Sequence, residues 1–305
     1  RRAMRSYAVI WRSRARSRRG AAVLKTRFDL ASATKTFSVF ARLRLVLMGR
    51  LDLDAPLGEV LAEWRKGCRG RATLRHLLTH TAGLPPSWYG WRAPMEKAME
   101  SPDWPAKAND PLAGMRTELE EDLLRTPLVE APGTSRRYSD VSFNTAMVLA
   151  ERVTGRPWAG LMESLVLRPL GLDEVTYRPD PRRAAATEFV PGMRRGMVRG
   201  VVHDETSWAL GGTCANAGLF ATARAVARFA EAIRRGGSEP AAHMLWDDVL
   251  PGVLGGPVDV ERYGLHGASL GLPIGATGWM GRHGMVVRGH TGFQGTAFQV
   301  DGGTG

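Results

Sequence analysis

The feature that most constrains the fold is the position of the strand-like segments, which lie at the two ends of the chain. Short apolar stretches occupy residues 6–12 and 21–28, and a glycine turn separates the segments 284–293 and 295–300. Helical patterns dominate the chain between them. This order predicts an α+β fold in which one antiparallel sheet is assembled from both ends of the chain and is flanked by helices.

Three segments carry the clearest helical pattern. Residues 32–49, 139–155 and 217–237 place apolar residues at a 3.6-residue period, and each segment ends in glycine. The second segment also opens with Ser and Asp, which suit the start of a helix. We therefore expect three well-defined helices, one early, one central and one late in the chain.

Size and composition limit the class of protein. The 305 residues are 44% hydrophobic and 24% charged, which is ordinary for a soluble globular protein and enough for one large domain or two interleaved ones. No run approaches the roughly 18 apolar residues that a membrane-spanning helix needs. The two cysteines, Cys68 and Cys214, lie far apart and outside any C-x-x-C motif. We expect two free thiols and no structural zinc.

Much of the formal net charge of +12 lies in an arginine-rich leader, residues 1–20. One interpretation is an arm for nucleic acid or acidic membranes, and the other is a solvated, disordered leader. We favour the disordered leader and expect no nucleic-acid partner, because no reader motif follows it. Residues 20–24 are too short for the roughly 7–15 apolar residues of a secretory signal. The chain as given fits a cytoplasmic protein or, with upstream sequence, an exported one.

Ser32 and Lys35 stand three residues apart within the largely apolar segment 29–40. On a helix these positions share a face, so the lysine can stabilise the deprotonated serine or, when desolvated, become neutral and act as a base. A serine nucleophile needs such a partner where no histidine serves it. On the short pattern alone, an N-cap serine beside a surface lysine is the simpler interpretation.

Longer motifs around Ser32 and Lys35 favour the interpretation as a serine nucleophile with its activating lysine. The segment RFDLASATKTFSVFARLRLVLMGRLDLDAPL, residues 27–57, and the box TLRHLLTHTAGLP, residues 73–85, resemble the serine β-lactamase-related superfamily, which includes class C β-lactamases, DD-peptidases and β-lactamase-fold esterases. The resemblance covers about residues 26–301. It implies a β-lactamase/transpeptidase-like fold, with one domain at 21–305 and an all-helical subdomain inserted at approximately 68–200.

The resemblance also implies roles for three side chains. Ser32 matches the nucleophile that becomes acylated, and Lys35 matches the lysine that activates it. Tyr138, in the sequence YSD, matches a tyrosine that acts as a shared general base and acid. A phenol with an ordinary pKa of about 10 needs a neighbouring cation for that task, and Lys35 would supply it.

Asp140 departs from the family pattern, because many members carry Asn at this position. A carboxylate cannot donate a hydrogen bond to a substrate carbonyl as Asn can. This difference counts against efficient β-lactam hydrolysis and is compatible with ester hydrolysis. Three roles stay open for Asp140: substrate contact, an ion pair with Lys35, or capping of the helix that begins at Val141.

The segment His290, Thr291 and Gly292 matches the family's K-T-G strand, with His in place of Lys. A neutral His290 would lack the fixed charge that holds a substrate carboxylate. The resemblance implies that the backbone N–H of Phe293 joins that of Ser32 in binding the oxyanion, where one lost donor costs about 3–4 kcal/mol. Gly292 lets the backbone approach closely.

Four other polar side chains stand in matching segments. We expect structural roles for His76 and His80, as helix terminators or hydrogen-bond partners behind the site. His203 and Asp204 are weaker candidates for the rim of the site.

Together these features predict a serine hydrolase that forms an acyl-enzyme on a carboxylic ester or a β-lactam-like amide, with the ester favoured and no metal or organic cofactor. Family members continue past Asp301 with a further strand and helix, so we expect a C-terminally truncated member whose open sheet edge lowers stability or activity. One alternative is a catalytically inactive member that binds peptidoglycan-like ligands. Another is a basic interaction protein that uses the arginine-rich leader.

Overall fold

The computed structural model describes residues 7–10, 24–104, 109–234 and 287–301, which contain seven strands and eight α-helices. The strands are β1 (Tyr7–Ile10), β2 (Phe28–Asp29), β3 (Ala186–Val190), β4 (Gly196–Arg199), β5 (Phe220–Ala221), β6 (Val287–Thr291) and β7 (Thr296–Asp301). The helices are α1 (Thr34–Leu47), α2 (Leu74–Leu78), α3 (Arg92–Met99), α4 (Arg116–Leu124), α5 (Asp140–Thr154), α6 (Trp158–Met162), α7 (Glu205–Ala209) and α8 (Ala223–Arg234). A π-helical segment, Glu163–Leu167, follows α6 directly.

The three-stranded sheet draws its strands from both ends of the chain. β7 is the central strand and pairs antiparallel with β1 on one side and β6 on the other. Phe298 of β7 lies opposite Ala8 in one pair and opposite His290 in the other. The predicted assembly of one sheet from both ends of the chain is therefore confirmed for β1, β6 and β7. In contrast, β2, at the end of the predicted strand segment 21–28, pairs with β5 in a separate two-stranded sheet.

β1 lies within the leader that we expected to be disordered. That expectation is wrong for residues 7–10, because their backbone pairs with β7 from Tyr7 opposite Gln299 to Ile10 opposite Thr296. Backbone hydrogen bonding to a central strand can order a short segment even between charged flanks. The rest of residues 1–20 lies outside the described residues.

The segment that we expected to be an all-helical insert, residues 68–200, contains α2 to α6 but also an antiparallel hairpin of β3 and β4. The all-helical prediction is therefore wrong for the last part of that segment. Thr187 and Val198 are buried on one face of the hairpin, and the Thr187 hydroxyl donates to the Val198 carbonyl at 3.3 Å. The sequence does not reveal this alternation, because Phe189 and Met197 are exposed while the polar Thr187 is buried.

The core surrounds α1, which is buried along most of its length. Phe37 stacks on Phe229 of α8 with ring centroids 3.7 Å apart, so the early helix packs directly on the late one. Arg42 is also fully buried, and its guanidinium donates to the carbonyls of Phe143 and Ala146. Burial lowers the pKa of Arg42 to about 9. These carbonyl contacts fix α1 against α5, the two helices that carry the candidate site.

Other sequence expectations concern cysteines, metals and membranes. Cys68 is exposed and Cys214 is buried, and both are free thiols. Among the described residues, no group of three or more His, Cys, Asp or Glu side chains is placed to hold a metal ion. No helix within the described ranges is long and apolar enough to cross a bilayer.

Candidate active site

Ser32 sits in a tight turn between β2 and α1. The carboxylate of Asp29 accepts a hydrogen bond from the Ala31 N–H at 2.8 Å, and the Ala33 N–H donates to the Leu30 carbonyl at 2.9 Å. Ala31 has a φ of 44°, an unusual conformation for a residue other than glycine. The turn therefore satisfies the amides on both sides of Ser32 internally and fixes the position of its half-buried side chain.

Lys35 lies one turn later, fully buried, with its ammonium directed at Ser32. Its Nζ atom is 3.0 Å from Ser32 Oγ, 3.0 Å from the Asn216 carbonyl oxygen and 2.6 Å from Asp140 Oδ1. The predicted proximity of serine and lysine is thus present in the structure, and the surface-lysine interpretation is excluded. The ammonium is satisfied by three oxygens from three different segments of the chain.

The charge of Lys35 follows from these contacts. Burial alone would lower the pKa of Lys35. The charges of Asp140 and Tyr138, and hydrogen bonding to these groups, raise the pKa by more than burial lowers it, so the net pKa lies above the ordinary value of a lysine. In the resting site Lys35 is therefore an ammonium ion. It can act as a base only after it has given up a proton.

Tyr138 brings its phenol to the same point. Lys35 Nζ lies 4.8 Å from the centroid of the Tyr138 ring, and Lys35 and Ser32 are close enough to the phenol to influence its pKa. One edge of the ring stays open to solvent, since 38% of the residue surface is exposed. Burial of the hydroxyl end raises the pKa of Tyr138, and the positive charge of Lys35 opposes that rise. The three predicted side chains therefore meet in one cluster.

Asp140 takes one of the three roles left open by the sequence. Its carboxylate forms the ion pair with Lys35. It does not cap α5, because the N-cap is Ser139, whose Oγ accepts from the Ser142 N–H at 3.1 Å. Asp140 is instead the first residue of α5, with its side chain turned into the cluster. The helix-capping interpretation of Asp140 is wrong, and the ion-pair interpretation is confirmed.

The segment from His290 to Phe293 forms the opposite wall. His290 is buried, its Nδ1 lies 2.7 Å from the Thr291 carbonyl, and burial together with the charge of Lys35 lowers its pKa to about 3. It is therefore neutral near pH 7. A side chain at Gly292 would collide with the Leu30 carbonyl and with Thr296 Oγ1, so glycine allows this strand to lie against the turn before Ser32.

A cleft of about 420 Å³ opens beside Ser32. Phe293, which is 84% exposed, forms part of its lining together with apolar residues of β3 and the following turn. Three carboxylate side chains also line it: Glu188, Asp204 and Glu205. Among the described lining residues there is no lysine or arginine. The described lining of the cleft next to the serine therefore carries acidic and no basic charged side chains, although the whole chain is strongly basic.

His203 connects three parts of the cleft wall. Its backbone N–H donates to Asp29 at 2.8 Å, its ring lies 6.0 Å from the Phe293 ring in a stacked arrangement, and its Nε2 is 3.1 Å from Glu188. The sequence suggested His203 and Asp204 as rim residues, and both line the cleft. His76, by contrast, completes a capping box with Thr73 at the start of α2, a structural role.

Two contributors to the site were not recognised in the sequence. Asn216 offers its backbone carbonyl to Lys35, while its side chain binds Ser207 and Asp204. Asp29 is buried and joins the turn that carries Ser32 to His203. The only available signal was that both lie in segments matching the superfamily, because a backbone acceptor leaves no mark on residue type.

Comparison with known proteins places this geometry in a family. The family profile named Beta-lactamase matches residues 5–305. The chain belongs to the Beta-lactamase family. A relative in Escherichia coli K12, a putative D-alanyl-D-alanine carboxypeptidase, is 30% identical over an alignment of 240 residues that covers 70% of this chain and 51% of the relative. This Beta-lactamase family chain thus spans about half the length of the curated relatives it matches.

Solved structures share the fold of this Beta-lactamase family member. A class C β-lactamase from Rhodobacter sphaeroides matches with a TM-score of 0.54 and 20% identity, covering 73% of this chain and 57% of the other. A penicillin-binding protein from Bacillus halodurans matches with a TM-score of 0.53 and 22% identity, covering 74% and 65%. The predicted β-lactamase/transpeptidase-like fold is therefore confirmed.

Proposed function

We propose that the chain is a serine hydrolase that works through an acyl-enzyme formed on Ser32. The observation that carries the proposal is the contact of Ser32 Oγ with Lys35 Nζ at 3.0 Å, with the Tyr138 ring centroid 4.8 Å from the same Nζ. A serine needs a proton acceptor at this distance to become a nucleophile at neutral pH. Membership of the Beta-lactamase family supports the same reaction class.

The proposed reaction moves one proton in each half-reaction. Once the Lys35–Tyr138 pair has lost a proton, it accepts the proton of Ser32 while Oγ bonds to the substrate carbonyl carbon. The same proton then passes to the leaving oxygen or nitrogen as its bond to carbon breaks. Water attacks the acyl carbon in the second half, gives its proton to the pair, and the pair returns a proton to Ser32.

We infer that the backbone N–H groups of Ser32 and Phe293 hold the developing oxyanion. The Ser32 amide lies in the turn fixed by Asp29, and Gly292 lets the strand before Phe293 approach that turn closely. Two fixed donors supply the kind of preorganised electrostatic stabilisation that such sites use. Thr291 and His290 lie on β6 beside them and would border the bound substrate.

An ester is the substrate class that the site suits best. Asp140 is held by Lys35 as a carboxylate and offers no donor to an acyl-amide carbonyl. The described cleft lining holds three carboxylates and no lysine or arginine that could bind a substrate carboxylate, and His290 is neutral. We therefore propose an ester without negative charge as the preferred substrate, and a β-lactam-like amide as a poorer one.

Turnover of p-nitrophenyl butyrate and of a cephalosporin tests this proposal. We expect ester hydrolysis by the intact chain, slower cephalosporin hydrolysis, and a loss of about 1000-fold or more in kcat for Ser32→Ala. Cys68→Ser, at an exposed position, is the matched control and should keep wild-type kcat. A Ser32→Ala protein that hydrolyses the ester at the wild-type rate would exclude Ser32 as the nucleophile. A folded chain with no turnover would favour an inactive, ligand-binding family member.

A further inference from the structure

His80 holds the backbone on both sides of Tyr138. The N–H of Arg137 donates to the His80 carbonyl at 2.8 Å, and the N–H of Ser139 donates to His80 Nδ1 at 3.1 Å. Between these two bonds, the Tyr138 ring packs on the imidazole with centroids 4.6 Å apart and planes 34° apart. One residue therefore fixes the main chain and the ring of Tyr138 together.

His80 is itself tightly constrained. Only 1% of its surface is exposed, and its φ of 62° lies in the left-handed region that residues other than glycine rarely adopt. Phe143 of α5 packs on the imidazole, with ring centroids 5.1 Å apart. A strained residue persists where its surroundings fix it, and such residues cluster at functional sites. His80 thus has the rigidity that a positioning group requires.

The hydrogen bond to Ser139 also sets the protonation state of His80. Nδ1 accepts from a backbone N–H, so this nitrogen carries no proton and the neutral ring has its proton on Nε2. Burial, with the nearby charges of Arg136 and Lys35, lowers the pKa of His80 well below its ordinary value. The acceptor at Nδ1 is therefore retained across the neutral range.

The loop that begins at His80 braces the next residues as well. Ser139 Oγ donates to the Pro85 carbonyl at 2.6 Å, and the Asp140 N–H donates to the Pro86 carbonyl at 2.9 Å. These bonds place Asp140 against Lys35, while the His80 bonds place Tyr138. A histidine that served only to fill the core would not need hydrogen bonds to the residues on both sides of Tyr138.

We propose that His80 is a positioning residue that aims the phenol of Tyr138 at Ser32 and Lys35 by holding the backbone at Arg137 and Ser139. The proposal rests on the proposed function, since it assigns His80 to the same proton-transfer machinery. His80 neither touches substrate nor moves a proton in this account. Its contribution is the orientation of the group that does.

Two variants of similar shape separate the hydrogen bond from packing. In His80→Asn, the amide oxygen takes the place of Nδ1, and Asn tolerates left-handed backbone. In His80→Leu the side chain is branched at the same carbon as that of Asn but has no hydrogen-bond acceptor. With p-nitrophenyl butyrate, we expect His80→Leu to lower kcat about 100-fold with little change in KM, because a misplacement of about 1 Å has that effect. His80→Asn should keep kcat within about fivefold of the wild type, since its acceptor preserves the placement.

Two kinetic results would overturn the proposal. One is a folded His80→Leu protein with wild-type kcat, and the other is a folded His80→Asn protein that loses as much kcat as His80→Leu. Circular dichroism and thermal melting establish that each variant is folded at the assay temperature. If His80→Leu does not fold, the kcat of His80→Asn alone decides. A kcat within about fivefold of the wild type supports the proposal, and a loss of about tenfold or more contradicts it.

A spectroscopic titration tests the same point without turnover. The ultraviolet absorbance of the phenolate, taken as the difference between each protein and its Tyr138→Phe partner, gives the pKa of Tyr138. Release of the phenol into water in His80→Leu should move this pKa down towards its ordinary value, and His80→Asn should leave it near that of the wild type. An unchanged pKa in His80→Leu would overturn the proposal. If the wild type shows no turnover, the proposed function fails while this titration still tests His80.

Discussion

Asp140 lies 2.6 Å from Lys35 Nζ, so its carboxylate acts directly on the charge of the lysine beside Ser32. Burial alone would lower the pKa of Lys35, and the negative charge of Asp140 is the first of the effects that raise it above the ordinary value. The deprotonated pair that accepts the Ser32 proton is therefore scarce at neutral pH and becomes commoner as pH rises. We expect kcat/KM for an ester to rise with pH through the neutral and alkaline range.

Asp140→Asn should shift this pH profile to lower pH. Without the carboxylate, burial becomes the dominant effect on Lys35 and its pKa falls. The deprotonated form is then reached at a pH lower by about 1 unit or more. The pH dependence of kcat/KM with p-nitrophenyl butyrate measures the shift. Asp54→Asn is the control, because Asp54 pairs with Arg75 in an exposed ion pair away from Lys35. A midpoint that stays in place or moves to higher pH would contradict this account of Lys35.

Sequence spacing revealed the local contacts of the site and missed the distant ones. Ser32 and Lys35 are three residues apart on one helix face, so their contact follows from helical geometry. Tyr138 entered through family resemblance alone. The bonds from Lys35 to Asn216 and from His203 to Asp29 join positions 181 and 174 residues apart, and no local pattern encodes them. They depend on how separate segments meet in the fold.

At the scale of elements, strands were harder to recognise than helices. The helices after Ser32 and Ser139 were predicted because their apolar period continues for several turns and ends in glycine. The third predicted segment, 217–237, joins two elements: β5 occupies Phe220–Ala221 and α8 begins only at Ala223. β5 exists because it pairs with β2, about two hundred positions earlier in the sequence, so a helical period cannot reveal it.

The pairing of β1 with β7 predicts that the start of the chain contributes to stability. Val9→Pro places a residue without a backbone N–H, and with restricted φ, in the strand opposite Ala297. We expect a lower melting temperature, with a loss of about 1 kcal/mol or more of unfolding free energy. Leu24→Ser, at a position that is 81% exposed, is the control and should melt like the wild type. Equal melting of Val9→Pro and wild type would show that β1 does not stabilise the sheet.

For the whole molecule, the sign of the charge in the cleft is opposite to that of the chain. The chain carries a formal charge of +12, whereas Glu188, Asp204 and Glu205 line the cleft beside Ser32. Clefts concentrate the field of the groups that line them, while charges elsewhere are screened over about 10 Å at ordinary ionic strength. The local carboxylates, and not the overall charge, should therefore decide which substrates are accepted.

A series of p-nitrophenyl esters of similar length measures this preference. We expect kcat/KM to be highest for an ester with a trimethylammonium group, intermediate for the butyrate, and about tenfold below the butyrate for an ester with a terminal carboxylate at low salt. The double variant Glu188→Gln/Glu205→Gln should reduce the differences in kcat/KM among the three esters. Added salt should reduce the same differences. Glu163→Gln, which lies outside the cleft lining, is the matched control. Preference for the carboxylate ester would contradict the assignment of substrate class.

Intact-mass measurement with peptide mapping, after brief incubation with p-nitrophenyl butyrate or a fluorophosphonate, tests directly whether Ser32 is the nucleophile. We expect one covalent adduct per chain, located on the peptide that contains Ser32 and absent from Ser32→Ala. An adduct on another residue, or equal labelling of Ser32→Ala, would contradict this expectation.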